Sequence, residues 1–189
     1  MSYCKRIVMS LALILPIAGL LTLGQPSAAS AGAEIRATGT FTTEFVSPDI
    51  ANRTQGNLDI LSRYSVSTYT GSLDGTTLSM QTIARDDVVN KRAFQTNLGS
   101  FWGTLDGSEP GSFALIAHVV ADRSRCVRGV PCPSSLVPIE GTFVVVEGTG
   151  MGALEGMCGG GTFHTSPTGI GSNYHYSFRF GQDCKANNK

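Results

Sequence analysis

The chain has 189 residues and balances 14 basic against 14 acidic side chains, so its formal net charge is zero. A near-neutral chain offers no electrostatic basis for nucleic-acid binding, and we expect no nucleic-acid partner. Its length is sufficient for one domain with a sizeable hydrophobic core.

The N-terminal segment has the pattern of a secretory signal peptide. Two basic residues precede an apolar run, residues 7–24, and small residues follow with an A-x-A cleavage sequence at residues 29–31. The alternative is a membrane anchor, because the run approaches the length that spans a bilayer, but Pro16 interrupts it. We therefore expect residues 1–31 to be cleaved. Residues 32–189 would then form a single secreted or periplasmic domain without a membrane span.

Four cysteines follow the signal segment, and an even number is typical of two disulfides in an exported protein. Three pairings are possible. The spacing favours Cys126 with Cys132, within one proline-rich loop, and Cys158 with Cys184, on either side of the last predicted strand. A zinc site is the alternative, but it requires closely spaced cysteine or histidine pairs that this sequence lacks. We expect no metal and no cofactor.

The remaining sequence has almost no helical periodicity, and apolar and polar residues alternate with a period of two. In residues 76–84, for example, Leu78 and Met80 alternate with Thr77, Ser79 and Gln81. Eight strands are predicted, near residues 36–46, 60–70, 76–85, 92–98, 111–121, 140–147, 159–165 and 173–181. Together with short glycine-rich connections, they favour an all-β fold, a single closed antiparallel barrel, with a β-sandwich as the alternative. A closed barrel also removes exposed strand edges.

A short motif, G-x-L-acid-G, occurs at residues 71–75, 103–107 and 152–156. Glycine permits positive φ angles, and an acidic residue before glycine favours a tight turn. We interpret the three copies as turns between strands and not as phosphate loops, because no helix follows them. The leucine of each copy is suited to plug one end of a barrel.

Two predicted strands are apolar on both faces, at residues 113–120 and 142–146. Antiparallel strands usually keep one face in water. We therefore expect the outer face of these strands to be covered, and a second copy of the chain in a homo-oligomer is one partner that would do so.

Three stretches carry a resemblance to a known group of proteins. They are residues 37–41 (ATGTF), 102–118, which begin with WGTLDG, and 148–163, which end with GGGTF. In this order they resemble an uncharacterised bacterial family related to the allene oxide cyclase barrels, a structural group that includes the dirigent proteins. The resemblance covers residues 36–180 and implies an eight-stranded antiparallel barrel with a largely apolar interior, often assembled as a trimer. It carries over no catalytic residue, and the cysteine-containing loop, residues 123–138, departs from the family pattern.

The aromatic residues that alternate along the strands predict a ligand cavity. The candidate lining residues are Phe41, Phe45, Phe113, Leu115, Phe143, Tyr174, Tyr176 and Phe178. An eight-stranded barrel can hold one small ligand, so our first functional hypothesis is binding of a small apolar or aromatic molecule.

Two further hypotheses remain open. The first is a cell-envelope interaction protein, suggested by the doubly apolar strands and by the basic cysteine loop with Arg123, Arg125 and Arg128. The second is a cyclase- or coupling-guide-type enzyme acting on a small hydrophobic substrate. For that enzyme the catalytic candidates are Glu147, because burial in an apolar cavity raises the pKa of a carboxyl group, and His118, on a mostly apolar strand. The more ordinary roles are a rim position for Glu147 and hydrogen-bonded packing for His118.

Overall fold

The computed structural model of the chain describes residues 34–133, 136–166, 171–181 and 184. The predicted signal peptide, residues 1–31, lies outside the described residues. Ten strands occur within these ranges. They are β1 (Ile35–Phe45), β2 (Ala51–Gln55), β3 (Leu58–Gly71), β4 (Leu73–Asp86), β5 (Arg92–Leu105), β6 (Gly111–Asp122), β7 (Ile139–Val145), β8 (Met151–Gly152), β9 (Met157–Thr165) and β10 (Ser172–Phe180). None of the described residues forms a helix that is long and apolar enough to cross a membrane.

Eight of the strands form a closed antiparallel barrel. Its order is β1-β10-β9-β7-β6-β5-β4-β3, and pairing between β1 and β3 closes the ring. The other two strands extend it locally, since β2 pairs with β3 and β8 pairs with β6. The predicted all-β barrel is therefore confirmed, and the sandwich alternative is wrong because the β1–β3 ladder joins what would be the two free edges.

All eight predicted strands are present, and one of them is much longer than predicted. We expected this strand to end near residue 98, but β5 continues to Leu105. Its glycines are part of the ladder with β4, where Gly103 pairs with Gly75 and Gly99 with Ser79. A Cβ atom on Gly75 or Gly103 would collide with the neighbouring backbone and the Phe101 ring, so these glycines allow an aromatic ring to lie against the strands.

The three G-x-L-acid-G motifs lie together at one end of the barrel, which we call the closed end. They form the connections β3–β4, β5–β6 and β8–β9, as predicted for turns. Their leucines, Leu73, Leu105 and Leu154, are at most 5% exposed and belong to the main hydrophobic core. The leucines therefore plug this end of the barrel.

Aromatic rings fill the half of the barrel next to the closed end. Phe113 stacks on Phe101 with ring centroids 4.9 Å apart, and it also contacts Phe143 and Phe178. The Tyr174 hydroxyl accepts a hydrogen bond from the Leu73 N–H at 2.8 Å.

Three predicted cavity residues lie in this packed half. Phe113, Tyr174 and Phe178 are fully buried, and none of them lines the barrel cavity. Periodicity identifies the inward face of a strand but not how far along the barrel the interior is filled, so it does not separate these packed positions from those at the cavity.

Both predicted disulfides form. Cys126 and Cys132 have Cα atoms 5.4 Å apart, and their bridge closes a ring in the loop between β6 and β7. Cys158 and Cys184, 5.7 Å apart, tie β9 to the segment that follows β10. Two disulfides indicate a non-reducing environment of the extracellular type.

Candidate ligand-binding cavity

The end of the barrel opposite the closed end holds a cavity of about 670 Å³. We call this end the mouth; β4 ends there at Asp86 and β6 at Asp122. The cavity exists because small inward side chains, such as Ala117 and Ser79, replace the large rings of the closed half. Its volume lies within the range of small-molecule binding sites.

One side of the cavity, the apolar wall, consists mainly of residues from β6 and β7, with contributions from β1 and β9. Its residues are Phe41, Leu115, Ala117, Val119, Ile139, Phe143 and Phe163. Phe41 contacts Phe163 edge to face, with ring centroids 5.3 Å apart. This wall offers a continuous surface for an apolar or aromatic group.

The opposite side, the polar wall, comes from β3, β4 and β5. Its polar residues are Ser67, Thr77, Ser79, Gln81, Gln95 and Asn97, and the same strands also contribute the apolar residues Leu61, Ile83 and Ala93. The Gln81 amide is 2% exposed and donates from Nε2 to Ser65 Oγ at 2.6 Å, whereas its Oε1 has no hydrogen-bond partner among the described residues. A buried polar atom without a partner costs on the order of 1–3 kcal/mol, and a ligand donor would remove that cost.

Two tyrosines form the floor of the cavity, next to the packed half. The Tyr69 ring stacks on Phe41 at 5.0 Å, and the Tyr176 ring stacks on Phe143 at 4.5 Å. Burial raises the pKa of Tyr69 to about 12, and it also raises the pKa of Tyr176. Both hydroxyls therefore stay protonated at neutral pH and keep a hydrogen to donate.

Three arginines and one aspartate supply the charges that line the mouth. Arg123 donates from Nε and from a terminal nitrogen to the two carboxylate oxygens of Asp87, the second bond being 2.9 Å long. This fork holds the pKa of Asp87 below its ordinary value, although burial opposes the effect. Arg85 lies between two carboxylates, 3.7 Å from Asp87 Oδ2 and 3.5 Å from Asp59 Oδ2.

Arg63 differs from the other two arginines because it forms no salt bridge within the described part of the chain. Its guanidinium carbon lies 3.2 Å from the centroid of the Phe45 ring, a cation–π contact. Its Nε is buried and makes no hydrogen bond to a described residue. Burial lowers the pKa of Arg63, Asp49 raises it, and the charge of Arg85 lowers it further.

The cysteine loop contributes to the wall of the mouth. Gly129, Val130, Pro131, Cys132 and Val137 all line the cavity. Two basic side chains tie the loop to the strands: Lys91 donates to the Cys126 carbonyl at 3.2 Å, and Arg128 lies 3.6 Å from Asp59. The cysteine loop is therefore part of this site.

The comparisons with known proteins concern the family and the fold. A family model described as a protein of unknown function (DUF3224) matches residues 37–180. The chain belongs to the DUF3224 family. A DUF3224 protein of unknown function from Shewanella oneidensis MR-1 has a similar crystal structure, with a TM-score of 0.61 and 19% identity over 79% of this chain and 98% of that one. At this identity the likeness shows the fold alone. None of the curated proteins matches the chain.

The DUF3224 match confirms the predicted membership of an uncharacterised family. A relationship to the allene oxide cyclases or the dirigent proteins stays a prediction, since neither comparison bears on it.

In this DUF3224 protein, five of the eight residues predicted to line a cavity lie at the wall of the observed one. They are Phe41, Phe45, Leu115, Phe143 and Tyr176. The polar wall, Arg63 and Arg85 were not identified from the sequence, and Arg123 was named only as part of the basic cysteine loop. A signal for the arginines is present in the sequence, because Arg63 and Arg85 are in phase with the inward residues Leu61 and Ile83 of their strands.

Both catalytic candidates lie outside the cavity. His118 is exposed on the outer face of β6, where its Nδ1 is 3.3 Å from the Thr96 hydroxyl. Glu147 is exposed in the turn that follows β7, at the closed end. Neither residue is positioned to act on a molecule in the cavity.

Groups suited to metal binding do not occur in the described ranges, where no three His, Cys, Asp or Glu side chains come together. The polar groups of the cavity are instead amides, hydroxyls, guanidinium groups and the single carboxylate of Asp87. These groups are suited to hydrogen bonding with an organic molecule.

Proposed function

We propose that this protein binds a small organic molecule, with an apolar or aromatic body, inside the barrel. The observation that carries the proposal is the cavity of about 670 Å³ with an apolar wall on one side and hydrogen-bonding groups on the other. Small-molecule sites are typically concave and mostly apolar, with a few polar groups that fix the orientation of the ligand.

The difference between the two halves of the barrel also supports binding. An eight-stranded barrel can be filled by its own side chains, and the closed half is filled in this way by Phe101, Phe113 and Phe178. Toward the mouth β6 presents Ala117 instead, and the nearby strand β4 presents Ser79. Since protein interiors are otherwise close-packed, this cavity is a specific feature of the sequence and supports a ligand site.

The test is a fluorescence titration with N-phenyl-1-naphthylamine, a neutral probe that fluoresces in apolar surroundings. We expect saturable binding by the wild-type protein and a loss of about tenfold or more in affinity for Ala117→Phe, which fills the cavity. Ile116→Phe, one residue away on the outer face, is the matched control and should bind normally. Ser79→Leu tests the same cavity from the polar wall. Absence of binding by the wild type, or normal binding by both filled variants, would refute the proposal.

Self-association is a second candidate function, favoured by a row of apolar residues on the outside of the barrel. Tyr64, Met80, Leu98, Ile116 and Val144 are paired across strands β3 to β7 in direct register. They are 37–54% exposed. A second copy of the chain would bury this row, as we expected for the doubly apolar strands.

Light scattering after size-exclusion chromatography tests this second candidate. A homo-oligomer, such as the trimer that the resemblance implies, should dissociate in Leu98→Lys. It should persist in Thr68→Lys, a substitution at an exposed position of β3 outside the row. A wild-type monomer at all accessible concentrations would exclude this function.

Export to the extracellular or periplasmic space is part of the proposed function. The disulfides and the signal-peptide pattern of residues 1–31 support it. Mass spectrometry of protein exported by a bacterial host should find an N-terminus at Gly32. An intracellular protein that still begins at Met1 would contradict the proposed export.

We do not propose a catalytic function, because His118 and Glu147 both lie outside the cavity.

A further inference from the structure

We infer that the ligand carries an anionic group, a carboxylate or a sulfonate, which binds to Arg63 and Arg85 at the mouth while its apolar body lies against the apolar wall. This inference rests on the proposed function, since it specifies the chemistry of the molecule that occupies the same cavity.

The charges of the mouth are not balanced by the protein itself. Among the described lining residues there are three arginines and one aspartate. The carboxylate of Asp87 accepts both bonds of the Arg123 fork and also lies 3.7 Å from Arg85 Nε. Arg85 shares Asp59 with Arg128, at 3.5 and 3.6 Å. Arg63 has no carboxylate within salt-bridge distance among the described residues, so positive charge remains in the cavity.

Both arginines line the cavity, and both have a donor without a hydrogen bond to a described residue. Arg63 Nε and Arg85 Nε are both buried without a hydrogen bond, and the latter is 3.7 Å from the nearest carboxylate oxygen. Guanidinium groups donate in a planar fork that matches the two oxygens of a carboxylate, and such bonds are among the strongest in proteins. An anion between the two arginines would satisfy these donors and reduce the repulsion between the two positive charges.

The neighbourhood of Arg63 has the properties of a preformed site. Phe45 holds the guanidinium plane by stacking, which reduces the entropy lost when an anion binds. Gln81 lies directly opposite Arg63 in the β3–β4 register, and its buried Oε1 is also without a partner. The Gln81 oxygen would accept a hydrogen bond from a donor on the body of the ligand, whereas the anionic group would accept from the arginine.

A small inorganic anion would not use the rest of the site. The apolar wall, with Leu115 and Phe143, lines the same cavity as the arginines, and a free anion would leave this surface uncovered. An amphipathic molecule satisfies both parts, because its anionic end meets the arginines and its body covers the apolar surface.

Two probes with the same body provide the test. 8-Anilinonaphthalene-1-sulfonate differs from N-phenyl-1-naphthylamine by one sulfonate group. We expect the wild-type protein to bind the sulfonate about tenfold more tightly than the neutral probe, as one charge-assisted interaction would give. Arg63→Gln and Arg85→Gln should each reduce the ratio of sulfonate affinity to neutral-probe affinity from about ten to about one. Arg53→Gln, on the exposed strand β2, is the matched control and should preserve the wild-type ratio.

The outcomes distinguish this inference from the proposed cavity function on which it rests. Binding of the neutral probe without a preference for the sulfonate, or a preference that persists in both arginine variants, would overturn the inference and leave the cavity function intact. Failure of the wild type to bind either probe would refute both. Ala117→Phe should abolish binding of both probes, because their shared body occupies the cavity. If the Arg85→Gln variant fails to fold, the Arg63→Gln variant alone tests the inference. Arg63 forms no salt bridge with a described carboxylate, so its removal leaves none of them without its salt bridge.

Discussion

Arg123 and Asp87 join the end of β6 to the connection between β4 and β5 through two parallel hydrogen bonds. Asp87 is only 4% exposed, so the pair is shielded from water at the rim of the cavity. The fork fixes the start of the cysteine loop relative to the mouth. Its removal would therefore affect both the stability of the barrel and the shape of the site.

We predict that Arg123→Met lowers the free energy of unfolding by about 3 kcal/mol, because it leaves a buried carboxylate without its main partner. Urea unfolding measures this change. Arg125→Met, two residues further along the loop at an exposed position, is the control and should cost much less. Equal losses in the two variants would show that the fork contributes no more than a surface charge.

Asp86 leads to a prediction about pH. Its carboxylate accepts hydrogen bonds from the backbone N–H groups of Val88, Val89 and Asn90 and from the Asn90 side chain, at 2.8–3.0 Å. The backbone bonds from Val89 and Asn90 are the main cause that lowers the pKa of Asp86 from 3.8 to about 2. A lowered pKa means that the charged carboxylate stabilises the fold above pH 3.8 and that this contribution is lost as the pH falls through about 2.

Asp86→Ala should therefore be less stable than the wild type at neutral pH, and the difference should shrink as the pH falls from 3.8 toward 2. Thermal unfolding followed by circular dichroism over this range measures it. Asp74→Ala, at an exposed position of the same strand, should follow the wild-type profile. If the difference in stability between Asp86→Ala and the wild type does not depend on pH, the stabilising role of the Asp86 carboxylate is contradicted.

Two neighbouring tyrosines on β10 should respond differently to loss of the hydroxyl. Tyr174→Phe leaves the buried Leu73 N–H without its acceptor, and we predict a loss of about 1–3 kcal/mol in the free energy of unfolding. Tyr176→Phe should be nearly neutral, because no described backbone donor makes a hydrogen bond to its hydroxyl. Chemical denaturation of both variants tests the prediction, which fails if Tyr176→Phe is the more destabilised.

The two disulfides should also be distinguishable. On loop-closure entropy, replacing Cys126 and Cys132 by serine should cost about 2 kcal/mol, and replacing Cys158 and Cys184 about 3 kcal/mol. Only the first pair belongs to a loop that lines the mouth. Stopped-flow dilution of the bound neutral probe should therefore show faster release for the first double variant alone. Faster release for the second would place the exit route elsewhere.

The fold was largely predictable from the sequence, whereas the character of the cavity was not. Alternation and cysteine spacing depend on local residue order, so the strands and both disulfides followed from them. The same alternation defines two faces of β4 without saying which one is inside. In the barrel, Thr77, Ser79 and Gln81 point inward and Leu78 and Met80 outward, the reverse of the usual hydrophobic arrangement.

The arginines of the mouth were not recognised as part of the site for a different reason. Arg63, Arg85 and Arg123 are far apart in sequence and lie on or next to different strands, so only the barrel pairing brings them together. Burial of a charged residue is also rare enough that each arginine, considered alone, is expected in solvent.

The leucine plug has a consequence for the route of a ligand. Leu73, Leu105 and Leu154 seal one end, so within the described structure the barrel is a blind-ended container and not a channel. A bound molecule has to leave by the opening through which it arrived, past the arginines and the bridged loop. Its residence time would then be governed by how often that loop moves aside, and a change of redox environment that cleaves the Cys126–Cys132 bridge would speed its release.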